Sequence, residues 1–383
     1  MIKKRKLNRL FVLSGFSAVL IFTAIVSRGF SAPVSGATML EAIRNYGILS
    51  YLKIIKQPLW VGNLSNSSGY FANLSPEIFN DRNGVLEIKP GVHLLDYPVN
   101  LGGPLMISPG TTVRFSPDSY LLVKGAVTAV GTPDAPIVLQ GQKGQLWKGI
   151  YVYNADSLSE LDNVVIADTT AFADGYLTLT GAVTFYQSAL KVTNTAFKNS
   201  EAEDGLNIIN SGFSLTNTRF ENMRSDALDS DFSHGNIIVS EFDTIGGDAI
   251  DLSGTKSRIE NPRITGVRDK AISAGENSTV NVIGGFVKSV GVAAASKDGS
   301  VVKIRDTRIE DVTLFGLMTY IKKSSYNFPS LIAYNLFWGA GTSGRIEDNW
   351  IRQTGTVLTI DGQSASEQDI DVKALYKGAV MSK

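Results

Sequence analysis

The chain has 383 residues, 43% hydrophobic and 19% charged, with 36 Lys and Arg balancing 36 Asp and Glu, a composition that excludes disorder as the main state. No cysteine and only two histidines exclude disulfides, thiol nucleophiles and iron–sulfur ligation, and leave little for a zinc site. The charge balance also excludes the strongly basic surface that a nucleic-acid partner requires.

That balance conceals an asymmetry. Lys3, Lys4, Arg5, Lys6 and Arg9 place five positive charges in the first nine residues, and the remainder carries 31 basic against 36 acidic residues. Directly after them, Leu10 to Val26 run 17 residues without a charge, which predicts a membrane-targeting helix with its N-terminus in the cytosol. The segment is either an uncleaved anchor or a signal cut near Ser35-Gly36-Ala37, so the chain beyond about residue 37 faces the periplasm or the exterior. Residues 1–32 are read as basic tail and anchor, and 33–84 as linker and N-terminal cap. Met39 to Ile55 has helical apolar spacing within that cap.

A repeat then takes over. DGLNII at 204, DALDSD at 226, DAIDLS at 248, KAISAG at 270 and VAAASK at 292 begin 22 residues apart. Phe220, Phe242, Ile264 and Phe286 keep the same interval, while Phe197 is one residue out of step. A unit this short with alternating apolar residues cannot bury its own face, so units must stack. Each unit is predicted to be one coil of an all-β parallel solenoid. Strand alternation points Leu228, Ser230 and Phe232 inward and Asp229 and Asp231 outward. The Asn of NTAF, NTRF and NPRI, at 194, 217 and 261, falls in one file that stacked amides could join. About eleven coils at roughly 4.8 Å per rung predict a stack on the order of 50 Å long.

Upstream, ISPGTTVRF and LLVKGAVTAVGTPDAPIVL resemble the opening coils of right-handed parallel β-helix proteins of the pectin-lyase-like class. The run EDGLN, SDALDSDF, GDAIDLSG, DKAIS and AASKDGS is similar to the β-helix portion found with spore-coat-kinase-like (CotH) proteins. The resemblance implies a right-handed parallel β-helix over 85–329, with 330–383 as a C-terminal cap. It implies little about activity, since the class holds lyases, epimerases, hydrolases and binding proteins.

The repeat register aligns the polar residues. One outward position carries Asn207, Asp229, Asp251, Ser273 and Ala295; two residues on stand Ile209, Asp231, Ser253, Gly275 and Lys297; the preceding turn carries Asp204, Asp226, Asp248 and Lys270. Residues 201–251 have eleven acids and two Arg, whereas 252–310 have ten basic residues and six acids. Stacked carboxylates disfavour joint ionisation and need compensation. Three readings compete. Each Asp could accept backbone N–H bonds at its own turn; Asp229, Asp231 and Asp251 could hold Ca²⁺; or the site could be catalytic on a polysaccharide.

In the catalytic reading Asp226, Asp229, Asp248, Asp251 and Lys270 are the candidates, with Asn207, Asp231, Arg268, Lys297 and His234 binding the ligand. An Asp or Lys would take the C5 proton of a uronate while cations neutralise its carboxylate, or paired Asp would cleave a glycosidic bond. His234 invites comparison with β-helical polygalacturonases, which use a Gly-His-Gly turn and a later Arg-Ile-Lys; here Ser233 precedes the histidine and no Arg-Ile-Lys occurs. Trp147, Tyr151, Tyr153 and Tyr186 could stack on sugars, though such aromatics more often pack. The sequence therefore points to an exported or membrane-anchored β-helix that binds an extracellular or envelope polysaccharide. A uronate lyase or C5-epimerase, and a scaffold for envelope protein partners, are its alternatives.

Overall fold

The computed structural model describes residues 74–174, 177–339 and 349–377. The apolar segment at 10–26 and the helix expected at 39–55 lie outside them. Among the described residues no helix is long and apolar enough to cross a membrane.

One coil shows how the sequence makes the fold. The strand Asp204–Ile209 lies on a first face, Gly212–Thr216 on a second and Arg219–Met223 on a third, and Asp226–Asp231 returns to the first face one rung on. Its corners take left-handed residues, Asn210 at φ 49°, Asn217 at φ 50° and Asn222 at φ 58°, a conformation that asparagine tolerates better than most. Parallel in-register pairing stacks Leu206 on Leu228, Ile250 and Ile272. Repeated, this gives an all-β parallel solenoid of about 11 turns with almost no helix. The second face is a 14-stranded sheet; the other two faces join in a 19-stranded one. They join because Arg263–Gly275, Phe286–Lys297 and Arg308–Tyr320 run without a break through the turn between them.

Inside, Phe197, Phe220 and Phe242 form a column with ring centroids 4.9 Å apart and nearly parallel planes. Phe197 keeps its place in that column despite its extra residue. The strands on either side pair in register, and the surplus falls in the turn Glu201-Ala202-Glu203, where the next coil has Arg224-Ser225. Beside the apolar core runs a hydroxyl ladder. The Oγ atoms of Ser211, Ser233, Thr255, Ser278 and Ser300 accept from the backbone N–H of Ser188, Ser211, Ser233, Thr255 and Ser278, each one coil earlier. Buried corner N–H groups that no strand partner reaches are thereby satisfied.

Two features depart from the sequence reading. Phe232 does not point into the core: it sits at the corner at φ 49°, half-buried, with its ring over Gly254, where an added Cβ would lie 2.4 Å from it. The solenoid also outruns 85–329. Phe79–Arg82 pairs antiparallel with Val85–Ile88 at the leading edge. Ser330–Tyr334 and Val357–Ile360 continue the parallel second face before an antiparallel pairing with Gln363–Ser364 closes it. Antiparallel returns cover the open edges that a solenoid would otherwise expose. A short helix, Val372–Lys377, comes after them.

Candidate functional site

At the turn into the first face, the repeated Asp makes a bonded file along the stack. Asp226 Oδ1 accepts the N–H of Asp248 at 2.8 Å, and Asp248 Oδ1 accepts the N–H of Lys270 at 2.9 Å. The partner lies on the next rung, not in the residue's own turn. Lys270 ends the file: its ammonium stands 2.9 Å from Asp248 and also pairs with Asp269. Asp226, Asp248 and Lys270 are 1%, 1% and 2% exposed. Burial is the largest influence and opposes the charge on Lys270, but Asp248, Tyr320 and Asp269 together outweigh it and raise the lysine pKa. Asp269 is pushed up to about 6 by burial and by Asp248. These three sequence candidates are sealed from solvent, so what they do in the structure is hold adjacent coils together.

The outward file behaves differently. Asn207, Asp229, Asp251 and Ser273 stack in register, and Ile209, Asp231, Ser253 and Gly275 form the parallel file beside them. Asn207 Nδ2 donates to Asp229 Oδ2 at 3.0 Å and, more weakly, to Asp204 Oδ2 at 3.4 Å. Asp251 lies 3.6 Å from the ammonium of Lys297, whose pKa is raised because Asp251, Tyr376, Asp248 and Asp298 together overcome the burial penalty. Among the described residues Asp229 carries no such cation. Burial, then Asp231 and Asp204, hold its carboxyl well above the usual range. Asp231 is pushed up to about 7 by burial and by Asp251 and Glu276, against the opposing pull of Asn207 and Lys323. Glu276 in turn pairs with Lys323 and accepts from the Tyr326 hydroxyl at 3.3 Å.

This strip is roofed at both ends. On one side Phe172, Leu177 and Leu179, from the loop that carries the pairing of Ala173–Asp174 with Leu177–Thr178, pack over Tyr120, Tyr151, Leu122, Tyr153 and Tyr186. On the other, Ile370, Val372, Leu375 and Tyr376 cover Val292, Ala295, Met318, Tyr320 and Ile351. Tyr376 and Tyr320 join hydroxyls, and Lys322 Nζ lies 4.6 Å from the Tyr376 ring. Between the roofs Ile209, Asp229, Asp231, Asp251 and Ser253 stay partly exposed.

Other candidates fall elsewhere. His234 opens the strand His234–Ile238 on the second face and is exposed, round the corner from the strip. Arg268 is exposed at the turn before Lys270. Trp147 is buried, stacked on Phe115 at 3.8 Å, with Nε1 donating to Ala167 O at 2.8 Å, so it packs and does not offer a face to a sugar. His93 contacts Lys89 O at 2.8 Å. The metal question also shifts. Carboxylate oxygens of Asp226, Asp248 and Asp251 lie within 4.8 Å of one another, a set sharing only Asp251 with the Asp229, Asp231 and Asp251 expected for Ca²⁺. Lys270 and Lys297 already bring positive charge to Asp248 and Asp251, the compensation a hard cation would supply. Sequence reasoning missed Glu276, Lys323, Tyr326 and both roofs. The first is adjacent to Gly275 in the repeat, but the rest are brought in by segments with no period.

No family model matches the chain. Over 80 residues, 21% of this chain, it is 36% identical to Protein bark beetle of Drosophila melanogaster, and the matched span is 3% of that protein's length. Crystal structures of the periplasmic alginate epimerase AlgG and of an aspartate-to-alanine mutant of it superpose with TM-scores of 0.32 and 0.31 at 14% and 10% identity. Each superposition covers 75% of this chain and 81% of the other. Values of this size leave function to be argued from the site itself.

Proposed function

We propose that the strip between the roofs binds an extracellular or envelope polysaccharide, and that the basic cluster and apolar segment at the N-terminus export the chain or anchor it facing the periplasm. The observation that carries this reading is where polarity occurs on the outward file. Under the roofs it is Leu122 and Tyr151 on one side and Ala295, Met318 and Ile351 on the other; between them it becomes Thr184, Asn207, Asp229, Asp251 and Ser273. Of these, Asp229 and Asp251 are partly exposed, whereas Thr184, Asn207 and Ser273 are buried. Sugar hydroxyls, which both donate and accept, suit the two partly exposed carboxyls of this file. Tyr153 and Tyr186 at its edge are half-buried and add aromatic surface. A glycan array probed with the purified chain and with Asp229→Asn and Asp251→Asn variants tests the reading. Binding by the parent that both variants weaken supports it, and an array with no bound glycan overturns it.

A second reading, uronate lyase or C5-epimerase, draws on the carboxyls of Asp229 and Asp231. A group that titrates near 7 can take a C5 proton near neutral pH; the lyase then expels the C4 substituent, whereas the epimerase needs a proton delivered to the opposite ring face, and Lys297 stands beside the file. Incubation with polyuronates in deuterium oxide separates the two readings. Deuterium at C5 or an ultraviolet-absorbing unsaturated end shows chemistry; unchanged polymer leaves binding alone.

A further inference from the structure

The polysaccharide reading places a ligand on the first face, and the two roofs limit how much of it that face can hold. Both roofs rest on outward-pointing apolar side chains of the face itself: Tyr151 with Phe172 and Leu177, and Met318 with Leu375 and Tyr376. Uncovering them would return apolar surface to water at roughly 25 cal/mol per Å², so the ends of the strip are closed by the sequence of the face as well as by what lies over it. The partly exposed outward residues that neither roof packs against belong to three successive rungs, those of Ile209, Asp229 with Asp231, and Asp251 with Ser253. Three rungs at ~4.8 Å each span about 14 Å, and a strand of this face, six residues long at Asp226–Asp231, spans roughly 20 Å. Neither direction accommodates more than a few pyranose rings.

We infer that the strip recognises a short stretch of glycan, about three or four sugar units by these dimensions, and that the loop at Phe172 to Leu179 and the helix Val372–Lys377 set that length. This inference rests on the polysaccharide reading. A long chain engages the protein through one such stretch or through its end, and it does not lie along the solenoid. Tyr153 and Tyr186 mark one limit of the stretch, and Lys297, whose ammonium reaches back to Asp251, marks the far limit.

The test is isothermal titration of the full-length chain with oligogalacturonates and oligomannuronates of graded length, together with the parent polymers. Affinity is expected to rise with each sugar up to the length of the strip and then to change by less than about twofold, where another occupied subsite worth ~1.4 kcal/mol would add tenfold. Affinity that keeps climbing through much longer oligomers overturns the length limit while leaving the polysaccharide reading standing. No binding of any uronate by a chain that binds a different glycan on the array moves the same series to oligomers of that glycan, with the same plateau required. No glycan binding at all overturns both. A variant with residues 171–180 replaced by a short glycine link, checked for a cooperative thermal transition, should shift the plateau to longer oligomers. An unshifted plateau in a folded variant removes the loop as the length-setting element.

Discussion

Lys270 and Asp231 show how differently two charged residues of one repeat are used. Lys270 is buried with its ammonium between Asp248 and Asp269, and replacing it with Met leaves those two carboxylates without that cation. Breaking a buried pair from one side costs about 3–5 kcal/mol, so Lys270→Met is expected to lower the urea midpoint sharply, and Lys270→Met combined with Asp248→Leu is expected to recover part of that loss. Asp231 is half-buried, and its folded pKa of about 7 stands above the roughly 3.9 of an unfolded aspartate. The folded state therefore holds the extra proton between those values, and stability falls as pH rises through that window. Asp231→Asn is expected to raise the melting temperature relative to the parent at pH 8 and to leave it close to the parent at pH 4. An equal shift at both pH values in thermal melts would contradict the assigned protonation.

At the scale of strands and corners, what holds the coils is stacking of like on like. Phe220 lies between Phe197 and Phe242, so Phe220→Ala removes two ring contacts and opens a cavity, with an expected cost of about 3–5 kcal/mol in chemical denaturation. The corner amides contribute less. Asn217 Nδ2 donates to Asn194 Oδ1 at 2.7 Å on the surface, and its backbone is left-handed. Asn217→Ala gives up one exposed hydrogen bond and the tolerance that asparagine has for the left-handed region, for an expected loss of about 1–2 kcal/mol. The buried hydroxyl ladder is of another kind: Ser233 both accepts from Ser211 N–H and donates to Asp231 O at 2.8 Å. Its replacement by Ala strands a buried donor, whereas loss of Asn217 exposes its partner only to water.

For the solenoid as a whole, stability and function both depend on what covers the first face. Coils contact only their neighbours, and such stacks need terminal caps to remain soluble. Truncation after Gln368 would uncover Val292, Ala295, Met318 and Ile351, and is expected to lower the melting temperature and to produce aggregates on size exclusion. A truncated chain that stays monomeric with an unchanged melt would show that the helix is dispensable as a cap. The sealed Asp226, Asp248 and Lys270 and the open Asp229, Asp231 and Asp251 lie a few residues apart on the same rungs. The solenoid thus places a cohesive charge network directly beside a surface able to meet a ligand.

The repeat determined the stacking by itself. A period of 22 residues with alternating apolar positions permits one way to bury each strand, so the columns of Leu228 with Ile250 and of Asp229 with Asp251 were legible from spacing alone. The Ser and Thr ladder was open to the same reading, since Ser211, Ser233 and Thr255 keep the interval too. Spacing left Asp226 beside Asp229 as a candidate, although alternation carried back from Leu228 and Ser230 puts Asp226 inside, where it is buried. Spacing could not place Phe172, Lys323 or Tyr376, which belong to segments without a period. Those contacts are set by chain returning from far along the sequence to cover apolar outward residues, and that return decides where the first face is closed and where it is open.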